Sequence, residues 1–198
     1  MFDPWVTEHF GKADNALQGL RLLIIGESHN TDRPELYGTS YLTQTKEVIE
    51  KFAISQSYPI FDKLFHLVTS KNRKESTGGE VKGFWEAIAF YNFIPVFVEK
   101  EINRKKVDFL SGRSPLISVL NAIKPDAIIV CGLDTWWYVM DALPGGEGEN
   151  PSRRDFARVQ GALAVRIIHP SARGSTRYSY EVARPLIEKL FADVKVHT

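Results

Sequence analysis

Four short apolar runs punctuate the chain, at Leu22-Leu23-Ile24-Ile25, Tyr91 to Val96, Asp126 to Val130 and Ala164 to Ile168. Runs of this length, bounded by Gly, Pro and polar residues, predict buried strands. Between them the apolar spacing changes to that of helices. Val48, Ile49, Phe52 and Ala53 mark one helix over 43–54, and Ile60, Leu64, Leu67 and Val68 mark a second that opens at Pro59, a residue the first turn tolerates. Phe84 to Phe90 resumes the helical pattern. Ser114-Pro115 reads as a cap and first-turn proline opening a helix over 116–123, which Lys124-Pro125 stops, and 133–142 follows Gly132 as another. A short helix after Arg153-Arg154 and a helical pattern over 177–191, kinked or split by Pro185, complete the set. Residues 1–20, with Trp5, Phe10, Ala16 and Leu17, fit a short helix on the sheet, and 194–196 fits an added edge strand.

Two stretches interrupt this rhythm. Residues 71–83 are charged and glycine-rich without periodicity, which predicts an exposed, mobile connector, and 144–151 predicts a second mobile loop. Arg104-Lys105-Lys106 reads as a solvated face. Apolar strands alternating with helices predict one α/β domain over 1–198, a three-layer α/β/α fold around a central, mostly parallel four-stranded sheet.

Length and composition refine the picture only slightly. At 198 residues, 43% of them hydrophobic, the chain can bury one core. A formal net charge of +1 excludes a strongly cationic protein, so any nucleic-acid contact rests on a local patch. Cys131 is the single cysteine and lies in an apolar run, so no internal disulfide forms and the residue reads as a small buried hydrophobe. The polar and aromatic first ten residues do not read as a signal peptide, and no apolar run reaches membrane-spanning length. A soluble, cytoplasmic monomer without membrane contact is the expectation.

The polar strand exits carry the chemistry. Gly26-Glu27-Ser28-His29-Asn30 follows the first run and His169-Pro170-Ser171-Ala172-Arg173-Gly174 follows the fourth, while Asn92 stands out in the second. In a parallel sheet these exits converge at the carboxyl ends of the strands, where ligands bind. Glu27, His29 and His169 lack a recognised metal-ligand spacing, and Gly26 opens neither phosphate-loop pattern, so no metal and no cofactor are expected. Ser28, Asp134 and His169 occur in the chain order of an α/β-hydrolase triad, which gives a serine hydrolase using Ser28 as one alternative. The nucleophile elbow would need a second Gly where Asn30 stands.

Together LLIIGESHN, FYNFIP, KPDAIIVCG and IIHPSARGS resemble the uracil-DNA glycosylase superfamily in content, order and approximate spacing, from Leu22 to Tyr178. His169-Pro170-Ser171-x-Arg173 is similar to the second motif of its single-strand-selective members. Gly26-Glu27-Ser28 resembles the opening motif of the thermostable iron-sulfur members, with His29 where Pro is expected. One cysteine cannot hold their cluster, so the resemblance implies a member without an iron-sulfur cluster.

The resemblance implies a partner, damaged or uracil-containing DNA, and a set of roles. A base is cut from its sugar only after leaving the stack, entering a reading pocket and departing with stabilised negative charge. Asn92 would read the amide-like edge of the base, and His169 would donate a hydrogen bond to the oxygen where charge develops. Tyr37 or Tyr41 would stack on the base, Arg173 would fill the gap in the strand, and Ser171, Gly174 and Ser175 would hold phosphates. Ser28 occupies the place of the water-positioning Asp or Asn of many members, leaving Glu27 or Asn30 as substitutes. A base-excision glycosylase hydrolysing the N-glycosidic bond is therefore expected, with a catalytically inactive nucleic-acid-binding relative as the second alternative. Each residue also has a plain structural reading. Asn92 can end a strand by bonding local backbone, Tyr37 and Tyr41 can fill a core, Glu27 can be a solvated loop charge, and His169 can be a satisfied structural histidine.

Overall fold

In the computed structural model, which describes residues 1–99, 108–142, 154–174 and 177–195, three of the four apolar runs form central strands of a five-stranded sheet close to where they were expected. The second strand lies earlier, at Ala89–Asn92, so that the preceding helix ends at Ala87 and Phe90 belongs to the strand. Strands β1 (Leu22–Gly26), β3 (Ala89–Asn92), β5 (Ala127–Cys131) and β7 (Ala162–Ile167) are parallel, in the spatial order β3-β1-β5-β7. A fifth strand, β6 (Phe156–Val159), pairs antiparallel on the outer edge of β7. It replaces the short helix expected after Arg154. Gln160 (φ 49°) and Gly161 (φ 91°) form the left-handed two-residue turn that suits a tight hairpin, and Arg166 Nε ties back to Asp155 Oδ1 at 2.9 Å. A separate parallel pair, β2 (His29–Thr31) with β4 (Phe97–Glu99), forms just beyond β1.

Every residue of β1, β3 and β5 is buried, because both sheet faces are covered. Alternate side chains feed two cores. Leu22, Ile24, Phe90, Ile129 and Ile167 pack with helices α2 (Pro59–Thr69), α3 (Gly78–Ala87) and α6 (Tyr180–Lys195). Leu23, Ile25, Tyr91, Ile128 and Val130 pack with α4 (Arg113–Ile123) and α5 (Leu133–Asp141). The molecule is thus a three-layer α/β/α fold.

Several local expectations are corrected. Residues 71–83 are not a loose connector: Thr77 accepts from the Glu80 N–H, and the Glu80 carboxylate accepts from the Thr77 N–H, a capping box that starts α3. Lys71 bonds the same carboxylate, which with the cap holds it down to about 2. The helix over 43–54 begins as α1 (Gln44–Val48) and widens into a π-helical segment, Ile49–Ser55. Helix α4 starts at Arg113, ahead of the expected Ser114 cap, because a 3-10 turn over Phe109–Gly112, capped by Asp108, runs straight into it. Helix α6 runs through Pro185 and includes Val194, so no edge strand forms there.

Residues 1–20 make turns rather than a helix, with left-handed backbone at Gly11, Gln18 and Gly19. Trp5 forms an antiparallel bridge to Phe90 and donates its indole N–H to the Trp85 carbonyl at 2.7 Å, which straps this segment along β3. The loop over 144–151 and Arg104-Lys105-Lys106 lie outside the described residues.

Candidate functional site at the strand carboxyl ends

The sheet order sets Asn92, then Gly26 and Glu27, then Gly132, then the His169 loop along one edge. The first two are locked together. Gly26 lies opposite Asn92 in the β1–β3 register, and beyond it the Phe93 N–H donates to Gly26 O and the Ile94 N–H to Glu27 O, both at 2.9 Å. A Cβ on Gly26 would fall 2.2 Å from Asn92 Oδ1 and 3.1 Å from Phe90 Cζ. Only glycine admits the carboxamide there.

Asn92 is 5% exposed, and its side chain makes no hydrogen bond to a described residue. It does not end the strand by bonding local backbone.

At the other end, the Ser171 N–H donates to His169 Nδ1 at 3.2 Å, and Ser171 Oγ lies 2.7 Å from the same nitrogen. A backbone N–H is only a donor, so Nδ1 is an acceptor and the neutral ring carries its proton on Nε2. The Ala172 N–H closes the turn on His169 O at 2.8 Å. Inside it, a Cβ on Gly132 would lie 3.7 Å from His169 Cβ and 3.4 Å from Thr135 Oγ1, a hydroxyl buried without a partner. Arg173 and Gly174 are exposed at the loop tip, and Ser175 lies outside the described residues.

The remaining candidates divide. Ser28 Oγ donates to Asn30 Oδ1 at 2.9 Å, so the hydroxyl aims an exposed amide. Glu27 is partly buried beside Gly26. Tyr37 (38% exposed) and Tyr41 (51%) are not core. Tyr41 meets Phe97 edge-on at 5.9 Å, which places it with the β2–β4 pair, and nearby Asp32, Glu35 and Glu99 help raise the Tyr37 phenol above its ordinary range, after desolvation. The aromatic ring at the Gly26–Asn92 corner is instead Phe90, backed by Phe61 at 6.0 Å. Sequence reasoning passed over Phe90 and Lys63, whose Nζ donates to Pro170 O at 2.6 Å. The signal for Phe90 was available, since it lies two residues before Asn92 and so on the same face of β3.

His29 is a structural residue. It is 6% exposed, meets Phe2 edge-on at 4.7 Å and lies 3.2 Å from Thr45 Oγ1, and burial pushes its imidazole down to about 4. Burial likewise raises the Cys131 thiol to about 12, which makes it inert as a nucleophile. Among the described residues, no group of His, Cys, Asp and Glu is arranged to hold a metal, and no helix is long and apolar enough to cross a membrane. Two cavities of about 700 and 440 Å³ open at the opposite, amino end of the strands, around Asp126 and Val194, away from Asn92 and His169. The Arg21–Asp126 ion pair lines the larger one, and none of the candidate site residues lines either.

Fold and edge together define an α/β/α protein with an amide packed on a glycine and an imidazole held by its own loop at the carboxyl ends of its parallel strands. Neither the protein-family models nor the curated proteins include a match to this chain.

Proposed function

We propose that this chain is a uracil-DNA glycosylase-like protein that takes an extruded base, uracil or a related damaged base, into the strand-end site and hydrolyses its N-glycosidic bond. The observation that carries the reading is the Asn92 carboxamide, set at the strand end on a largely buried residue and packed against Gly26. It offers one donor and one acceptor, the complement of the lactam edge of uracil. The Nε2 proton of His169 supplies the second requirement, a donor for the oxygen of the departing base. Phe90 and Phe61 supply an apolar wall, while Arg173 and Ser171 on the exposed loop face the strand. Asn30, aimed by Ser28, or Glu27 beside Gly26 would position the water.

The test is release of base from single- and double-stranded oligonucleotides carrying uracil, hypoxanthine or oxidised pyrimidines, read as abasic sites. Release that falls by about a hundredfold or more in both Asn92→Ala and His169→Ala is the expected outcome. A catalytically inactive nucleic-acid binder is the second reading, favoured by a hydroxyl at Ser28 where a carboxylate would activate water. It predicts salt-sensitive strand binding with no base released. The serine-hydrolase alternative has less support, because the Ser28 hydroxyl is given to Asn30 Oδ1 and not to a histidine nitrogen. Labelling of Ser28 by a fluorophosphonate would restore it.

A further inference from the structure

Lys63 lies on α2, 107 residues from the loop it touches. Its Nζ donates to Pro170 O at 2.6 Å and stands 5.5 Å from the centre of the Tyr178 ring. The Pro170 carbonyl and the Ser171 N–H belong to one peptide unit. That unit is planar and trans, so its C=O and N–H point in opposite directions and cannot turn independently. Fixing the carbonyl on Lys63 therefore fixes the direction of the N–H. That N–H is the donor that makes His169 Nδ1 an acceptor. Ser171 Oγ cannot decide the matter alone, because a hydroxyl 2.7 Å from Nδ1 can donate or accept.

We infer that Lys63 is a positioning residue that sets the tautomer of His169 through the Pro170–Ser171 peptide, keeping the imidazole proton on Nε2. The inference rests on the excision reading only for its effect on rate; the tautomer itself is a property of the free protein. A charged donor suits the task, since a charge-assisted bond holds the carbonyl more strongly than a neutral one. The flanking Tyr178 ring favours a cation there.

The experiment compares wild-type protein with Lys63→Met, Lys63→Arg and Ser171→Ala by nitrogen NMR of ¹⁵N-histidine-labelled samples. The His169 signals are assigned by their loss in His169→Ala. Wild type and Ser171→Ala are expected to show one protonated and one unprotonated ring nitrogen. Lys63→Met is expected to move both toward the average of exchanging tautomers, and Lys63→Arg to restore the separation. In the base-release assay, Lys63→Met should lower kcat by about tenfold or more, on the scale of a lost charged hydrogen bond. KM should stay within about twofold, since the group acts on charge that develops only as the base leaves. Should Lys63→Met fail to fold, Lys63→Gln, with an uncharged donor on a shorter stem, takes its place with the same expectation. A His169 signature unchanged without the Lys63 ammonium overturns the inference. If wild type releases no base, the excision reading fails while the NMR comparison still decides the role of Lys63.

Discussion

At the scale of single residues, the edge is controlled by contacts too close to admit a substitution. A methyl group at position 26 would collide with Asn92 Oδ1 at 2.2 Å, and Asn92 has almost no space in which to turn. Gly26→Ala should lose about 1–3 kcal/mol of stability, the usual cost of overpacking. The cause is identified by rescue: in chemical denaturation, Gly26→Ala/Asn92→Ala should be more stable than Gly26→Ala alone. Additive losses would mean that the backbone, not the carboxamide, takes the strain.

His29 gives a residue-scale pH dependence. Buried against Phe2, it binds a proton only near pH 4 in the folded chain, against about 6.5 unfolded. Between those values the unfolded state holds more protons, so stability is fully present above about pH 6.5 and declines as pH falls toward 4. The loss at the lower limit is of the order of 3 kcal/mol. Urea midpoints from pH 7 to pH 4 should fall for wild type and flatten in His29→Gln. Parallel slopes for the two proteins would assign the acid loss elsewhere. Both residues lie within the Gly26-Glu27-Ser28-His29-Asn30 stretch that the sequence marks as functional. Only packing separates their roles: Gly26 makes room for the site amide, whereas His29 turns into an aromatic core.

At the scale of elements, β1, β5 and β7 were legible because apolar runs buried on both faces need no periodicity to be recognised, whereas the half-exposed edge strand β6 and the short β2–β4 pair lack such a run. Helix α2 was legible from Pro59 and its apolar face. The π-helical segment was not, since the apolar spacing of 48–53 fits an α-helix equally well. Its ending depends on a residue about twenty positions away. Arg73 donates to the carbonyls of Ala53, Ile54 and Gln56 and pairs with Asp62 at 3.2 Å, which satisfies the groups that a helix end leaves orphaned. That same arginine lies in the stretch that reads as a loose connector, where glycines hide both the Thr77–Glu80 box and this anchor. Arg73→Met should cost about 3 kcal/mol, from lost charged hydrogen bonds and an Asp62 carboxylate that keeps the Ser57 hydroxyl but loses its cation. Arg73→Lys should recover only part, because one ammonium cannot span three carbonyls and a carboxylate. Equal melting temperatures for Met and Lys variants would reduce Arg73 to a packing role.

At the scale of the whole molecule, sequence order placed the strand exits on one edge but could not say which side chains meet there. Asn92 and His169 were visible as polar residues at strand ends. Their support was not: Lys63 to Pro170 and Phe90 to Gly26 are contacts between distant parts of the chain. The place of Tyr41 was hidden for the same reason, since its ring meets Phe97 of the β2–β4 pair. This arrangement also limits how the protein can hold a strand. Net charge is +1, Asp32, Glu35 and Glu99 lie near Tyr37, and the His169–Gly174 loop carries one exposed arginine, Arg173, with the exposed Arg177 just beyond it. On the proposed reading, a strand is gripped by few phosphates, about three, and the rest of the affinity comes from the base itself. The logarithm of the binding constant for a single-stranded uracil oligonucleotide should then fall against the logarithm of salt concentration with a slope near about −2. Arg173→Ala should make that slope shallower by about 0.7, the contribution of one phosphate. Asn92→Ala should lower affinity at every salt concentration and leave the slope unchanged, because a base contact releases no counterions. A slope steeper than about −5 would require a cationic track elsewhere on the surface and would sink the view that binding is centred on the His169 loop.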